Sequence, residues 1–360
     1  MLVTRTADRL SWVKWGIGAA GSAFEWHSKG RGFESHMLHE KESFENTGFS
    51  DRCRIFEGFF VYEIKKMHTF DKKYMDIFRL LVHDKRNHDD NEGGADRMAG
   101  LGIRILGGQG EERCRANGDD QIVMVYKGAY EPGDRIIFET DETDAYYVIR
   151  VDGAMDEAYV YLTKNQVEYV IPFDEKKISY DPASFTGERH YITMRKAREY
   201  ENKSYRNLAK NAIDQHGDTG CYPHAYANVE TRGESVFAAR NAIDGVVANE
   251  SHGSWPFQSW GINMQDDAEF TLDFGRKVDV DRICLYTRAD FPHDNWWVEA
   301  AFTFSDGSVE VVKMVKSVKP HEFDIKKNGI TWVRLSHLVK ADDPSPFPAL
   351  TQIEVYGQNG

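Results

Sequence analysis

The sequence predicts an all-β protein of two antiparallel β-sandwich, jelly-roll-like domains, with a short N-terminal helix and an irregular N-terminal extension. Three observations carry this. Short β-branched and aromatic runs recur at roughly ten-residue spacing after Leu101. Turn residues separate them, Pro132-Gly133-Asp134 and Asp306-Gly307 being the clearest. Beyond residue 100, no long helical period survives.

Taken in order, residues 1–66 mix glycine and charge without a period of 2 or 3.6. Gly16-Ile17-Gly18-Ala19-Ala20-Gly21 satisfies G-x-G-x-x-G, but no strand precedes it and Gly30 and Gly32 break the helix that should follow, which excludes a dinucleotide site. Gly30-Arg31-Gly32-Phe33-Glu34-Ser35-His36 resembles the conceptual translation of a transfer-RNA T-arm. That reading makes the extension dispensable, with Met67, Met75 or Met98 as the start. Residues 67–97 read as a helix over 71–86, capped by Asp71 and striped by Tyr74, Ile77, Phe78 and Leu81, then a linker around Gly93-Gly94.

The first sandwich is expected over 98–198. Its strands are Ile103–Leu106, Ile122–Tyr126, Arg135–Thr140, Ala145–Val151, Ala158–Leu162, Val167–Ile171 and Tyr191–Met194, and it is read as structural, with no site of its own. The charged stretch from Arg195 to Lys210 reads as a connector with helical character. A second sandwich is expected over 205–357. Its strands are Phe270–Gly275, Val280–Tyr286, an Ala301–Val312 hairpin turning at Asp306-Gly307, Ile330–Leu335 and Thr351–Gly357.

Composition narrows the function classes. The 58 acidic residues outnumber 45 basic ones, for a net charge of −13, so general nucleic-acid binding is not expected. No apolar run reaches the ~18 residues that membrane insertion needs. Cys53, Cys114, Cys221 and Cys284 lie too far apart for a zinc motif and are expected as buried free thiols. With no secretory signal read in the sequence, the expected compartment is the cytoplasm, an extracellular one being the alternative. No G-x-S-x-G elbow, H-E-x-x-H or P-loop occurs.

Several segments then point to one family. Arg206-Asn207-Leu208-Ala209, Ala239-Arg240-Asn241-Ala242-Ile243-Asp244-Gly245 followed by Trp255 and Trp260, Leu272-Asp273-Phe274-Gly275 and Ile353-Glu354-Val355-Tyr356-Gly357 occur in that order. Over residues 205–357 the chain resembles the galactose-binding-like sandwiches. These include the coagulation-factor type C (discoidin) domains and the family 32 carbohydrate-binding modules. The resemblance implies glycan binding and a structural Ca²⁺ at Asp244. Glu354, on the closing strand, and Asn249 would complete its oxygen set.

Five of the eight tryptophans fall between Trp255 and Trp332, several beside polar loops. A sugar needs an aromatic plane for its C–H face and fixed polar forks for its hydroxyls. His252 and Trp255, then Arg288, Asp290, His293, Asn295 and Trp296, and Phe347 on a third loop, supply both. Strand alternation lets at most one of Trp296 and Trp297 face the core. The expected function is non-catalytic recognition of a carbohydrate through loops at one end of the C-terminal sandwich. Two alternatives stand beside it. One is a glycan-active enzyme with its site between the sandwiches, using His190, Tyr191 and Arg195. The other is a module that turns the same loops toward a protein partner.

Overall fold

The structure, a computed structural model, describes residues 100–248, 255–288 and 295–360, all within one compact unit running from Ser50 to Gly360. The extension over 1–66 and the helix over 71–86 lie outside the described residues. No helix among the described residues is long and apolar enough to cross a membrane.

The first sandwich is a jelly roll. Its strands are β1 (Leu101–Leu106), β2 (Glu112–Gly118), β3 (Gln121–Tyr126), β4 (Arg135–Thr140), β5 (Ala145–Arg150), β6 (Ala158–Leu162), β7 (Gln166–Val170) and β8 (His190–Lys196). One sheet runs β2-β1-β4-β7 and the other β6-β5-β8-β3, every pair antiparallel. The chain therefore crosses between sheets repeatedly, as a jelly roll requires. Alternation is cleanest on β7, where Val167 and Tyr169 point inward and their neighbours are exposed. β2 has no such pattern and escapes the sequence reading. Its residues carry charge, and Arg115 holds Glu112 at 2.8 Å while Arg113 reaches Asp134 at 3.0 Å. It is an edge strand, where charge discourages pairing with another chain.

The connector contains a single helical turn, α1 (Glu199–Asn202), rather than a longer helix. It is followed by β9 (Arg206–Asn207), β10 (Cys221–Tyr222), β11 (His224–Ala227), β12 (Trp260–Gly261), β13 (Phe270–Thr287), β14 (Trp297–Phe304), β15 (Val309–Lys313), β16 (His321–Lys340) and β17 (Ala349–Asn359). The long strands β13 and β16 pair from Phe270↔Leu335 to Leu285↔His321, with register shifts between Asp273 and Arg282. β11 and β14 flank one end of this pair and β17 the other, so a single hydrogen-bonded sheet folds over and encloses a core. The bends come at Gly275 and Gly329, which sit at φ +65° and +63°. Only glycine adopts that region without strain, and bulged strands turn sharply there. A Cβ at Gly275 would also lie 2.3 Å from the Tyr222 ring.

The two sandwiches are stitched together. β10 lies within the span 205–357 yet pairs with β6, completing the second sheet of the first sandwich. Ile213 and Cys221 join that sandwich's core for the same reason. Cys221 and Cys284 are buried free thiols, whereas Cys114 is disulfide-bonded, which corrects the expectation of free thiols throughout.

Candidate functional site

Three loops meet at one end of the C-terminal sandwich, and short hydrogen bonds fix them to one another. Asn295 is buried and donates through Nδ2 to the Ser345 carbonyl at 2.7 Å. Its Oδ1 accepts from the Trp296 amide, also at 2.7 Å. The Trp296 carbonyl in turn accepts from the Ala341 amide at 2.9 Å, closing the third loop against the second. Arg288, at the end of β13, is fully buried and donates to the Phe257 carbonyl, which holds the 255–258 loop. Its backbone amide bonds the Ala349 carbonyl at 2.9 Å.

Trp296 and Trp297 divide as alternation predicts. Trp297 is fully buried, with its ring centroid 6.4 Å from that of Trp260 in the core. Trp296 is half-buried, and the Lys316 ammonium stands 5.4 Å from its ring centroid. Its indole Nε1 has no hydrogen-bond partner. Phe347 is 44% exposed on the third loop. The Trp296 and Phe347 rings are thus carried by loops that cannot move independently, with the Lys316 ammonium beside the first ring.

Arg288, expected as a fixed fork for sugar hydroxyls, is instead fully buried. A guanidinium inside the fold must be hydrogen-bonded to be tolerated, and a loop carbonyl supplies the partner, so this side chain positions a loop. Trp255 lines a different feature, a cavity between the two sandwiches. His252, Asp290 and His293 lie outside the described residues.

The residues expected to hold calcium are engaged otherwise. Asp244 Oδ1 accepts from Gln352 Nε2 at 2.7 Å and the Val246 amide at 2.8 Å, and Oδ2 accepts from Gln258 Nε2 at 2.9 Å. Burial pushes the Asp244 carboxyl up to about 6, against the pull of Arg240 and those donors. Glu354 Oε2 accepts from the Tyr286 and Tyr356 phenols, both at 3.2 Å. N–H groups present hydrogens where a cation needs lone pairs, so this donor set does not fit a hard cation. No group of three or more His, Cys, Asp or Glu side chains placed to hold a metal ion occurs among the described residues, outside which Asn249 lies.

Nor do His190, Tyr191 and Arg195 form a constellation. His190 is buried, with Nδ1 3.1 Å from Asp152 Oδ2 and Nε2 3.2 Å from the Gly187 carbonyl. Tyr191 is exposed on the opposite face of β8, and Arg195 grips Glu201 at 2.8 and 2.7 Å. Sequence reasoning missed the lining of the inter-sandwich cavity, drawn from both domains. One signal for it was present: Arg240, a charge among alanines in a segment that reads as buried.

No family model and no curated protein matches the chain. Solved structures do match its C-terminal part. One is chitosan-binding module 1 of a chitosanase/glucanase from Paenibacillus sp. IK-5, 18% identical, covering 43% of this chain and 100% of that one, TM-score 0.31. Another is a fucose-binding module of Streptococcus pneumoniae, 14% identical over 42% of this chain and 98% of that one, TM-score 0.30. A third is the family 32 module of C. perfringens NanJ in complex with galactose, 15% identical over 37% and 91%, TM-score 0.29. The chain is similar, over its C-terminal region, to family 32 carbohydrate-binding modules and related galactose- and fucose-binding lectin domains.

Proposed function

We propose that this chain is a non-catalytic carbohydrate-binding protein whose C-terminal sandwich recognises a glycan through the loops carrying Trp296 and Phe347. The observation that carries the reading is the half-buried Trp296 ring on a loop pinned to its neighbour by Asn295. Flat C–H faces of sugars stack on such rings, and a pinned loop loses little entropy on binding. The motifs shared with galactose-binding-like sandwiches support the same substrate class.

A glycan array followed by calorimetry tests it. Trp296→Ala should weaken binding of the selected sugar tenfold or more, about 1.4 kcal/mol or above. Phe347→Ala should weaken it less, and Lys313→Ala, on β15, should leave it unchanged. Wild-type affinity in both aromatic variants would place recognition elsewhere.

A further inference from the structure

A pocket of about 250 Å³ opens at another point on the seam between the sandwiches. Glu157 and Tyr159 line it from the first sandwich, and Arg206, Asn207, Lys210 and Arg276 from the second. At ~30 Å³ per water it has room for about eight waters, enough for one six-membered ring with a charged substituent. Two of its cations differ from most arginines of the fold. Arg104, Arg113 and Arg195 each hold a carboxylate at 2.6 or 2.7 Å. Neither Arg206 nor Arg276 pairs with a carboxylate among the described residues. Ring faces hold them instead: the Arg206 guanidinium lies on the Tyr159 ring, and that of Arg276 stands 5.2 and 5.7 Å from the Tyr146 and Tyr161 centroids.

The hydrogen bonds show which atoms stay open. Arg206 donates through Nη2 to the Glu201 carbonyl. Arg276 donates through Nε to Asn359 Oδ1 at 3.0 Å and through Nη1 to the Phe274 carbonyl at 2.8 Å. Arg206 Nη1 and Arg276 Nη2 are left without a bond and, unlike Arg206 Nε, neither is sealed from solvent. Asn207 Oδ1 accepts from the Ala209 and Val355 amides, both at 3.0 Å, which orients the amide and leaves Nδ2 as a third open donor. The acceptors are already engaged: Tyr159 Oη accepts from Asn359 Nδ2 at 3.3 Å, and Glu157 faces Arg150 at 3.6 Å. Lys210 is bound to Asp156 at 2.6 Å. Arg276 is only 9% exposed, and burial, with the charge of Arg206 added to it, lowers its pKa. An unpaired charge is costly where water is scarce, and an anion between two guanidinium forks removes that cost.

We infer that this pocket is a binding site for a small anion of one-ring size, whose carboxylate or phosphate oxygens accept from Arg206 Nη1, Arg276 Nη2 and Asn207 Nδ2. The inference goes beyond the loop-face reading and stands without it.

Its test uses the full chain carrying Trp296→Ala and Phe347→Ala, which takes the loop-face rings out of the measurement. Calorimetric titration with D-galacturonate and D-galactose 6-phosphate is compared with D-galactose as the neutral control. At least one anion should bind tenfold more tightly than the neutral sugar, and the stronger of the two identifies the group as carboxylate or phosphate. Arg276→Met and Arg206→Gln should each cut that affinity tenfold or more. Glu157→Gln, which removes an acid from the lining, should raise it about threefold, a gain that misfolding cannot imitate. The inference is overturned if neither anion outbinds D-galactose, if both arginine variants keep the parent affinity, or if Glu157→Gln fails to tighten binding. The guanidiniums would then only clamp the sandwiches together, and their loss would lower the melting temperature alone. Failure of the loop-face reading would look different: wild-type affinity surviving every substitution at Trp296 and Phe347.

Discussion

Asp244 is a carboxylate placed where water is scarce, and its pKa near 6 makes the fold sensitive to pH. The folded state holds the proton more tightly than the unfolded chain, whose aspartate titrates near 3.9. Its contribution to stability is therefore complete below about pH 4 and lost as pH rises through 6. Two pKa units correspond to about 3 kcal/mol. Urea denaturation of Asp244→Asn should show a smaller fall in stability between pH 4 and 7 than the parent chain, by up to that amount. Identical slopes would show that the group does not titrate in this window. Residues at this scale were legible in part. The inward Trp297 and the half-buried Trp296 follow from alternation, whereas the burial of Arg288 does not. One of its partners is the Phe257 carbonyl, 31 positions away, and a backbone acceptor leaves no mark in a side-chain pattern.

The strands of the first sandwich were legible where one face is buried, as on β7, and illegible on β2, whose charges meet Arg104 on β1 and Glu139 on β4. In the C-terminal sandwich the glycines mislead. Gly275 and Gly329 read as strand ends, but β13 and β16 continue through both. The sharpest test of that geometry is Gly275→Ala. A left-handed backbone costs an L-residue about 1–2 kcal/mol, and the added methyl would strike the Tyr222 ring. The variant should lose at least about 2 kcal/mol in chemical denaturation, while Gly307→Ala, whose Cβ meets nothing within 4 Å, should lose only the backbone share. Equal losses would remove the ring contact from the explanation.

For the molecule as a whole, the sequence marks two sandwiches and misses what joins them. β10 supplies a strand to the second sheet of the first sandwich, and the Arg206 guanidinium lies 3.6 Å from the Tyr159 ring centroid. Asn359 Nδ2 donates to the Asn202 carbonyl at 2.8 Å, and Ser235 donates its amide and hydroxyl to Glu175, both at 2.7 Å. These partners are distant in sequence, so no local period announces them. Scanning calorimetry should show one transition for both sandwiches, with van't Hoff and calorimetric enthalpies equal; two resolved peaks would mean the stitching is energetically minor. The feature with the widest reach is the two-residue strand β10. A protein engineer wishing to graft the C-terminal lobe onto another scaffold as a cassette would naturally cut in the connector near residue 200. That cut would carry Cys221 and Tyr222 away with the graft, exposing the edge of β6 on the donor and leaving an orphan strand on the recipient. The two sandwiches therefore have to be moved together.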